Sequence, residues 1–320
     1  MWEFNVEERK KITPAGLINL LIVYFVWGST YLAIRIGIRG GSGFQPFWFG
    51  GLRVLVAGTI LLLLGVIRGK VIRPNKKDLK VLIASGFLLW IGGNGLVVLA
   101  EQRIDSGIAA LVVASTPIWV ALFESILDKR MPSLLLIGSL IVGFGGIIVL
   151  SLPLLTSGVR ADILSILAVM LASFSWSAGL VLQTRQPVSL SRGVSSAYQQ
   201  LFGGLFFALI ALLAREPLPT PTTEAWLAWG YLVLFGSIFA FTAFVSALQQ
   251  LPTSLVTTYA YVNPVIAVLL GWLILREPIT PWTIIGGLFV MIGVTGIFRV
   301  NNKKAHLDQE SSAGEKQREG

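Results

Sequence analysis

The sequence predicts an all-α integral membrane protein with ten transmembrane helices, arranged as two inverted five-helix repeats. Of its 320 residues, 54% are hydrophobic and only 13% are charged, and the mean hydropathy is +0.77. Soluble domains carry roughly 25% charged residues. The apolar residues also cluster in long runs, and the second half of the chain weakly repeats the first. We therefore expect lipid, rather than water, around most of the chain.

Ten apolar runs are long enough to be membrane-crossing helices. A helix rises about 1.5 Å per residue, so some 20 residues cross a hydrocarbon layer of roughly 30 Å. Barrel strands would be about half as long and would alternate in polarity, so helices are expected. The runs lie near residues 17–38, 45–67, 79–99, 106–127, 134–154, 162–183, 194–214, 225–247, 254–275 and 281–299.

The basic residues of the loops are distributed unequally between the two sides of these helices. Most of the Lys and Arg residues fall in 1–16, 68–80, 129–130, 185–192 and 299–318. The loops of the other side hold only Arg35, Arg39, Arg103, Arg160, Arg215 and Arg276. Cytoplasmic loops carry the excess of Lys and Arg, so both termini are predicted to be cytoplasmic. The net charge of +9 then reflects membrane topology and does not indicate a nucleic-acid partner.

The predicted organisation has four parts. Residues 1–16 form a cytoplasmic N-terminal segment that is too acidic and polar for a cleavable signal peptide. Residues 17–154 form the first repeat, with helices one to five, and residues 162–299 form the second, with helices six to ten. The polar segment 300–320 is expected to be a disordered cytoplasmic tail.

A shift of 147 residues aligns the two halves and places Pro117 on Pro264. Five crossings separate equivalent residues, so the second half enters the membrane from the opposite side. Inverted repeats of this kind put a solute site near the membrane midplane. Each proline lacks an N–H and is expected to kink its helix and free a carbonyl, that of Val113 or of Ala260. A cavity between the prolines and a plain packing kink both remain open.

Two ionisable residues of the apolar runs are candidates for function. Arg53 lies inside the second run, where a charge is costly and often functional. It either contacts substrate or a gate, or it reaches the outer interface or pairs with a carbonyl or with Glu101. Glu101 ends the third run and is either a proton-coupling carboxylate or an interfacial cap or salt-bridge partner.

Aromatic and uncharged polar residues of the runs are predicted to line a site for amphipathic molecules. Trp27, Thr30 and Tyr31 of the first run are expected to face Trp176 of the sixth. The alternative for any one aromatic residue is helix packing or the membrane interface. The remaining candidates are Trp90, Asn94, Thr116, Trp119, Tyr198, Gln199, Thr242, Tyr259 and Asn263.

Several chemistries have no residues to support them in this sequence. There is no cysteine, the one histidine is His306 in the tail, and no GxxxxGK[ST] phosphate loop occurs. The acidic residues lie almost entirely in the predicted loops and termini. We therefore expect no metal, no cofactor and no catalytic residues.

A resemblance to a known family is carried by residues 26–37, 47–58, 93–122 and 259–294, and most specifically by Asn94-Gly95, Ala100-Glu101-Gln102 and Thr116-Pro117-Ile118-Trp119. Through these residues the resemblance is to the EamA-type members of the drug/metabolite transporter superfamily. It implies ten helices, two repeats, a central cavity and movement of small metabolites, often efflux of amino acids or related compounds, in the bacterial cytoplasmic (inner) membrane. The second half has Ala247-Leu248-Gln249 at the equivalent position, so a role of Glu101 is not duplicated.

The sequence therefore predicts a secondary transporter for small organic solutes that works by alternating access, driven by the solute gradient or by protons. Its expected partners are a small-molecule substrate and the lipid bilayer, and it acts as a monomer or a homodimer. The alternatives are an intramembrane enzyme for lipid or isoprenoid substrates and a non-transporting scaffold or sensor. The enzyme would need a buried acid cluster or a Ser–His pair, and the sequence offers neither.

Overall fold

The structure, a computed structural model, describes residues 13–129, 131, 134–156, 160–293 and 295–296. Within these ranges every regular element is a helix, which confirms the predicted all-α class. Most of the predicted N-terminal segment (residues 1–12) and the predicted tail (300–320) lie outside the described residues.

The described helices follow the ten predicted runs. Seven are long and apolar enough to cross a membrane, and three shorter apolar helices, Ile137–Gly146, Val262–Leu275 and Pro281–Gly293, lie in the other three runs. Ten crossings are consistent with this set. The helices are α1 Pro14–Ile38, α2 Pro46–Ile67, α3 Lys76–Ala100, α4 Ser106–Leu127, α5 Leu134–Thr156, α6 Arg160–Arg185, α7 Arg192–Leu213, α8 Thr223–Gln250, α9 (Thr253–Val256, Tyr259–Leu270 and Gly271–Leu275) and α10 Pro281–Gly293.

Several helices begin at residues that cap free backbone N–H groups. Thr13 accepts a hydrogen bond from the N–H of Gly16 at 3.0 Å, and Asn75 accepts one from the N–H of Asp78 at 2.8 Å. Thr222 caps α8 in the same way through the N–H of Ala225. Since the first N–H groups of a helix have no partner within it, these side chains favour helix starts at the edges of the apolar runs.

Successive helices alternate in direction, so the loops gather at two ends of the bundle. We call them the Glu101 end, with loops 39–45, 101–105, 214–222 and 276–280, and the Asp128 end, with loops 68–75, 128–129, 186–191 and 251–252. Many large apolar side chains between these ends point outward, among them Phe25, Leu171 and Leu227. Such an apolar exterior is unlike that of a soluble protein and fits a lipid surround.

The most extensive packing between the two repeats joins α2 to its counterpart α7. Gly50 of α2 lies against Phe207 of α7, and Gly65 lies against Val194. Because residue numbers rise along α2 as they fall along α7, the two equivalent helices are antiparallel. Small residues allow their backbones to approach closely, as at Gly58, where an added Cβ would lie 2.9 Å from the Ala197 carbonyl oxygen.

The other contacts between the repeats occur in equivalent pairs. Helix α1 packs against α8 and α9, and its counterpart α6 packs against α3 and α4. Helix α4 packs against α9, and Gly143 of α5 contacts Gly293 of α10. Exchanging each helix with its counterpart five positions along the chain leaves this set of contacts unchanged. The arrangement is that of two antiparallel copies of one five-helix unit.

Two equivalent helices change to π-helical hydrogen bonding near their middle. The segments are Phe87–Gly95 in α3 and Leu232–Ala240 in α8, each of nine residues. A π-helical stretch leaves backbone carbonyls free for other partners and is common at functional sites. The sequence analysis did not predict either segment.

Helix α4 is interrupted just before Pro117, at Ala114 and Ser115. Helix α4 consists of two pieces, Ser106–Val113 and Thr116–Leu127, and Pro117 lies in the first turn of the second piece, where its missing N–H leaves no bond unmade. The carbonyl of Val113 accepts a 2.7 Å hydrogen bond from the Thr116 hydroxyl. Pro264 does lie inside a helical piece, Tyr259–Leu270, and that helix is interrupted earlier, at Thr257 and Thr258.

Candidate functional site

A cavity of about 70 Å³ lies where the two repeats meet. Its walls come from both repeats, from α1, α2, α3 and α4 of the first and from α6 and α9 of the second. At this size it holds a few water molecules or one small chemical group. The lining residues are Trp27, Thr30, Tyr31, Ile34, Arg53, Trp90, Gly93, Asn94, Val97, Val113, Ala172, Ser173, Trp176, Tyr259 and Asn263.

An aromatic layer lies on the side of the cavity that faces the Asp128 end. Trp27 packs edge-on against Trp176 and Tyr259, with ring centroids 5.4 and 5.2 Å apart. Phe244 lies next to all three rings. Helices α1 and α9 begin at the Asp128 end and α6 finishes there, so these rings lie on that side of Ile34 and Ala172. A path towards that end would require the rings to separate.

Arg53 is the one charged residue of the lining. Its side chain is 2% exposed, and its Nε donates a 2.8 Å hydrogen bond to the Ser237 hydroxyl. Its guanidinium carbon lies 5.6 Å from the ring centre of Trp90. Among the described residues, no ion pair includes Arg53, and its Nη1 has no hydrogen-bond partner. The predicted alternative of a pair with Glu101 does not occur.

Arg53 is held at the pseudo-twofold axis by residues that are related by the repeat. Gln200 lies 147 residues after Arg53, and its side-chain nitrogen donates to the Ser237 carbonyl at 3.0 Å. Ser237 in turn lies 147 residues after Trp90. Arg53 and its repeat counterpart Gln200 therefore both contact Ser237, which is itself the counterpart of Trp90. Only the first repeat contributes a positive charge to this group of residues.

The π-helical segments supply the carbonyls that orient the aromatic side chains and their neighbours. The indole N–H of Trp27 donates to the carbonyl of Gly236, in the α8 segment, at 3.2 Å. The equivalent contact in the other pair of helices joins α6 to α3, where the Ser175 hydroxyl donates to the carbonyl of Leu88, in the α3 segment, at 2.9 Å. The irregular hydrogen bonding in α3 and α8 thus fixes residues of α1 and α6 on both sides of the cavity.

Two asparagines place amides in the wall. With its nitrogen as donor, Asn263 bonds the carbonyls of Tyr24 and Tyr259 at 3.0 and 3.1 Å. Asn94 lies in the π-helical segment of α3, and its Oδ1 is buried without a hydrogen-bond partner among the described residues. Asn263 therefore stabilises α9, whereas Asn94 presents a free acceptor.

Glu101 is buried beyond the cavity, one residue past the end of α3. It is 0% exposed and neither of its carboxylate oxygens has a hydrogen-bond partner among the described residues. Arg35 donates to the backbone carbonyl of Glu101, not to the carboxylate, and its guanidinium lies 4.0 Å from Asp105. Burial raises the pKa of Glu101 well above its usual range, the nearby Arg35 opposes this effect, and Glu277 adds to it.

The structure brings nine of the fourteen predicted site residues to the cavity: Trp27, Thr30, Tyr31, Arg53, Trp90, Asn94, Trp176, Tyr259 and Asn263. The other five lie elsewhere. Thr116 and Trp119 belong to the second piece of α4, Gln199 donates to Ser85 at 3.0 Å, Tyr198 donates to the Ile72 carbonyl at 2.8 Å, and Thr242 follows the π-helical segment of α8.

Sequence reasoning missed three polar residues of this region: Ser173, Gln200 and Ser237. A signal for Gln200 was present, since it occupies the position of Arg53 in the second repeat. Serines are frequent in these helices, and nothing in the sequence distinguishes Ser173 and Ser237 from serines that lie away from the cavity.

Comparison with known proteins agrees with this architecture. The model of the EamA-like transporter family matches residues 14–152 and again residues 163–299. The chain belongs to the EamA-like transporter family. The uncharacterized inner membrane transporter YedA of Escherichia coli (strain K12) is 37% identical over 256 residues, which cover 79% of this chain and 80% of YedA. These matches and the apolar helices together indicate a multi-pass inner membrane transporter.

Two further relatives of this EamA-like transporter extend the comparison. The uncharacterized transporter YoaV of Bacillus subtilis is 25% identical, over 87% of this chain and 94% of YoaV. Protein PecM of Dickeya dadantii is 27% identical, over 83% of this chain and 86% of PecM. A crystal structure, described only as that of a protein, superposes with a TM-score of 0.65 at 21% identity, covering 90% of this chain and 98% of the other. That likeness establishes the fold alone.

Proposed function

We propose that this EamA-like transporter is a secondary transporter that exports small organic metabolites, such as amino acids, related compounds or amphipathic molecules, by alternating access. The observation that carries the proposal is the cavity between the two repeats, lined by rings and by one buried cation. Inverted repeats typically hold solute at such a place, and rocking of one repeat against the other exposes it to either side. The solute gradient or a coupled proton supplies the energy.

The charge distribution supports an orientation for this cycle. The Asp128 end carries the loops richest in Lys and Arg, so we place it in the cytoplasm together with both termini. The aromatic layer of Trp27, Trp176, Tyr259 and Phe244 then separates the cavity from the cytoplasm in this conformation. Export requires this layer to open so that solute can enter from the cytoplasm.

The test is solute movement by the purified protein in liposomes. Vesicles are loaded with a mixture of amino acids, organic acids and amphipathic amines, and efflux is followed by mass spectrometry with and without a pH gradient. A variant that fills the cavity, Gly93→Leu, is compared with Gly230→Leu. An added Cβ at Gly93 would lie 2.7 Å from the Trp176 ring, whereas one at Gly230 meets nothing within 4 Å.

The proposal predicts efflux of a subset of the mixture by the wild type and by Gly230→Leu, and loss of that efflux in Gly93→Leu. Absence of efflux under either gradient, with correctly folded protein in the vesicles, would contradict it. Equal efflux by the two glycine variants would leave transport intact but would place the path outside this cavity.

A further inference from the structure

Arg53 carries a buried positive charge that no acidic residue of the described protein balances. Its Nε is used by Ser237, its Nη1 has no partner, and none of the ion pairs in the described part of the chain includes it. Buried charges in proteins are paired or hydrogen-bonded, because removing them from water is costly. The free Nη1 therefore indicates that an anion completes this site when solute is bound.

A second free donor belongs to a neighbouring residue of the same wall. The indole Nε1 of Trp90 is also buried without a partner in the described residues, and Arg53 lies over the same ring at 5.6 Å from its centre. Guanidinium and indole N–H groups are both donors and neither can accept a hydrogen bond. A carboxylate, which has two oxygens and only accepts, fits such a pair of donors.

The surrounding wall restricts the rest of the solute. The cavity of about 70 Å³ admits the carboxylate group, and the body of the solute needs the aromatic layer to open. Trp27, Trp176 and Tyr259 then provide ring faces and edges against which an apolar or aromatic body would pack. No lining residue is acidic, so the cavity has no group to neutralise a cation on the solute. The counterpart of Arg53 in the second repeat is the neutral Gln200, so the site holds one positive charge and not two.

We propose that Arg53 and Trp90 form a carboxylate subsite, and that the transported solutes are small organic monocarboxylates with an apolar or aromatic body. This inference rests on the proposed transport function and names its substrate class. Asn94, whose Oδ1 is a free acceptor in the same wall, takes a hydrogen-bond donor of the solute and so favours acids that also carry a hydroxyl group.

The test compares three probes of nearly equal size and shape: benzoate, benzamide and benzylamine at pH 7.5, which are anionic, neutral and cationic. Their affinities for the purified wild type in detergent are measured by titration calorimetry and by thermal shift. The wild type should bind benzoate at least about tenfold more tightly than benzamide, since the charge-assisted bonds exist only for the anion. Benzylamine should bind more weakly than both.

Two arginine variants separate the subsite from general charge effects. Arg53→Met keeps most of the side-chain volume and should abolish the preference for benzoate. Arg39→Gln is the matched control, because Arg39 pairs with Glu224 at the exposed surface of the Glu101 end, away from the cavity, and it should retain the preference. Persistence of the preference in Arg53→Met, or equal affinity of the three probes for the wild type, would overturn the proposal, as would the absence of binding by all three.

A further variant keeps the test decisive if Arg53→Met does not fold. Trp90→Phe removes the indole donor and keeps a ring, so it should weaken benzoate severalfold and benzamide less, because the uncharged carbonyl of benzamide is a weaker acceptor; an unchanged ratio of the two affinities would overturn the subsite. Failure of transport is distinguishable from failure of the subsite. Benzoate that binds through Arg53 but never crosses the liposome membrane contradicts the transport function alone, whereas efflux of neutral or cationic solutes without any preference for carboxylates contradicts the subsite alone.

Discussion

Glu101 is a carboxylic acid buried beyond the cavity, and its protonation should control how stability depends on pH. Burial raises its pKa well above the ordinary value of 4.5. The folded protein therefore binds a proton that the unfolded chain releases, and the resulting stability is present below pH 4.5 and is lost as pH rises through the raised pKa. The melting temperature of the wild type should fall over this range.

The substitution Glu101→Gln removes the titrating group and should flatten this part of the curve, as measured by thermal unfolding at a series of pH values. Asp105, whose pKa is also raised by burial, remains as a smaller contribution. If Glu101 carries a coupled proton, the same variant also loses the pH dependence of efflux. Glu224→Gln is the control, because Glu224 is exposed. If the melting temperature of Glu101→Gln falls with pH as steeply as that of the wild type, Glu101 does not control the pH dependence of stability.

Glu277 joins the second repeat to the start of α4. Its carboxylate accepts from the Ser106 hydroxyl at 2.8 Å and from the Ser106 N–H at 3.2 Å. A carboxylate at a helix N-terminus satisfies free N–H groups and interacts favourably with the helix dipole. Glu277→Ala should therefore lower the free energy of unfolding by about 1–2 kcal/mol.

The comparison for Glu277→Ala is Glu224→Ala, measured by thermal or denaturant unfolding in detergent. Glu224 pairs with Arg39 at the surface, and exposed ion pairs contribute about 0–1 kcal/mol. The loss should be clearly larger for Glu277→Ala. Equal losses would mean that the cap on α4 adds nothing beyond a surface ion pair.

The sequence could predict that Arg53 is a functional candidate, but it could not predict which residues Arg53 contacts. A single arginine in an apolar run is conspicuous because its burial is costly, whatever the fold. Its partner Ser237 is one of many serines, and only the packing of α8 against α2 selects it. The sequence also did not show that Gln200, and not the predicted Gln199, lies near Arg53. Adjacent residues of one helix face different neighbours, and only the packing of the helices decides which of the two approaches Arg53.

The π-helical segments of α3 and α8 are elements that hydropathy does not reveal. A run of apolar residues fixes the length of a helix, whereas the change from α- to π-type bonding depends on which neighbours take the freed carbonyls. Those neighbours are Trp27 and Ser175, from helices distant in sequence. The positions of the two segments in the repeats differ by only a few residues, so the pseudo-symmetry extends to this irregular feature.

Close packing of α7 against α3 makes Gly203 sensitive to added volume. A Cβ at this position would lie 2.5 Å from the Cβ of Trp90, closer than two side chains can approach. Gly203→Ala should displace Trp90, lower the free energy of unfolding by about 1–3 kcal/mol and weaken benzoate binding.

The matched control is Gly230→Ala, also in a helix, where an added Cβ meets nothing within 4 Å. Because alanine favours helix over glycine, this variant should be neutral or more stable by up to about 1 kcal/mol. Unfolding and benzoate titration of both variants check the prediction. A Gly203→Ala protein with wild-type stability and binding would mean that Trp90 can move without consequence.

The inverted arrangement of the two repeats was predicted from the odd number of membrane crossings in each repeat. Five crossings per repeat reverse the second copy, and the antiparallel contact of α2 with α7 agrees with this expectation. The sequence could not show which conformation is populated, because both conformations of such a molecule use the same helices and exchange only contacts between the repeats. Under the proposed cycle, the aromatic layer on the Asp128 side of the cavity is the part that must open.

Contacts across the repeats at the Asp128 end should therefore break during each transport cycle. Tyr24 of the first repeat and Thr258 of the second share a hydrogen bond at that end. The paired substitutions Tyr24→Cys and Thr258→Cys, joined by a short bis-methanethiosulfonate cross-linker that replaces the length of the tyrosine ring, should hold this end closed and stop efflux. The natural chain has no cysteine, so the cross-linker reacts only with the introduced pair.

The control for this covalent link joins two residues of the same repeat. Arg192 and Gln249 are in contact, with a 2.8 Å hydrogen bond, but both belong to the second repeat. The same cross-linker between Arg192→Cys and Gln249→Cys should leave efflux unchanged, since rocking of one repeat against the other does not separate these residues. Cleavage of the cross-linker with dithiothreitol should restore efflux to the protein cross-linked between the repeats and have no effect on the control. Equal efflux by the cross-linked and cleaved forms of the cross-repeat pair would show that solute passes without relative motion of the two repeats at this end.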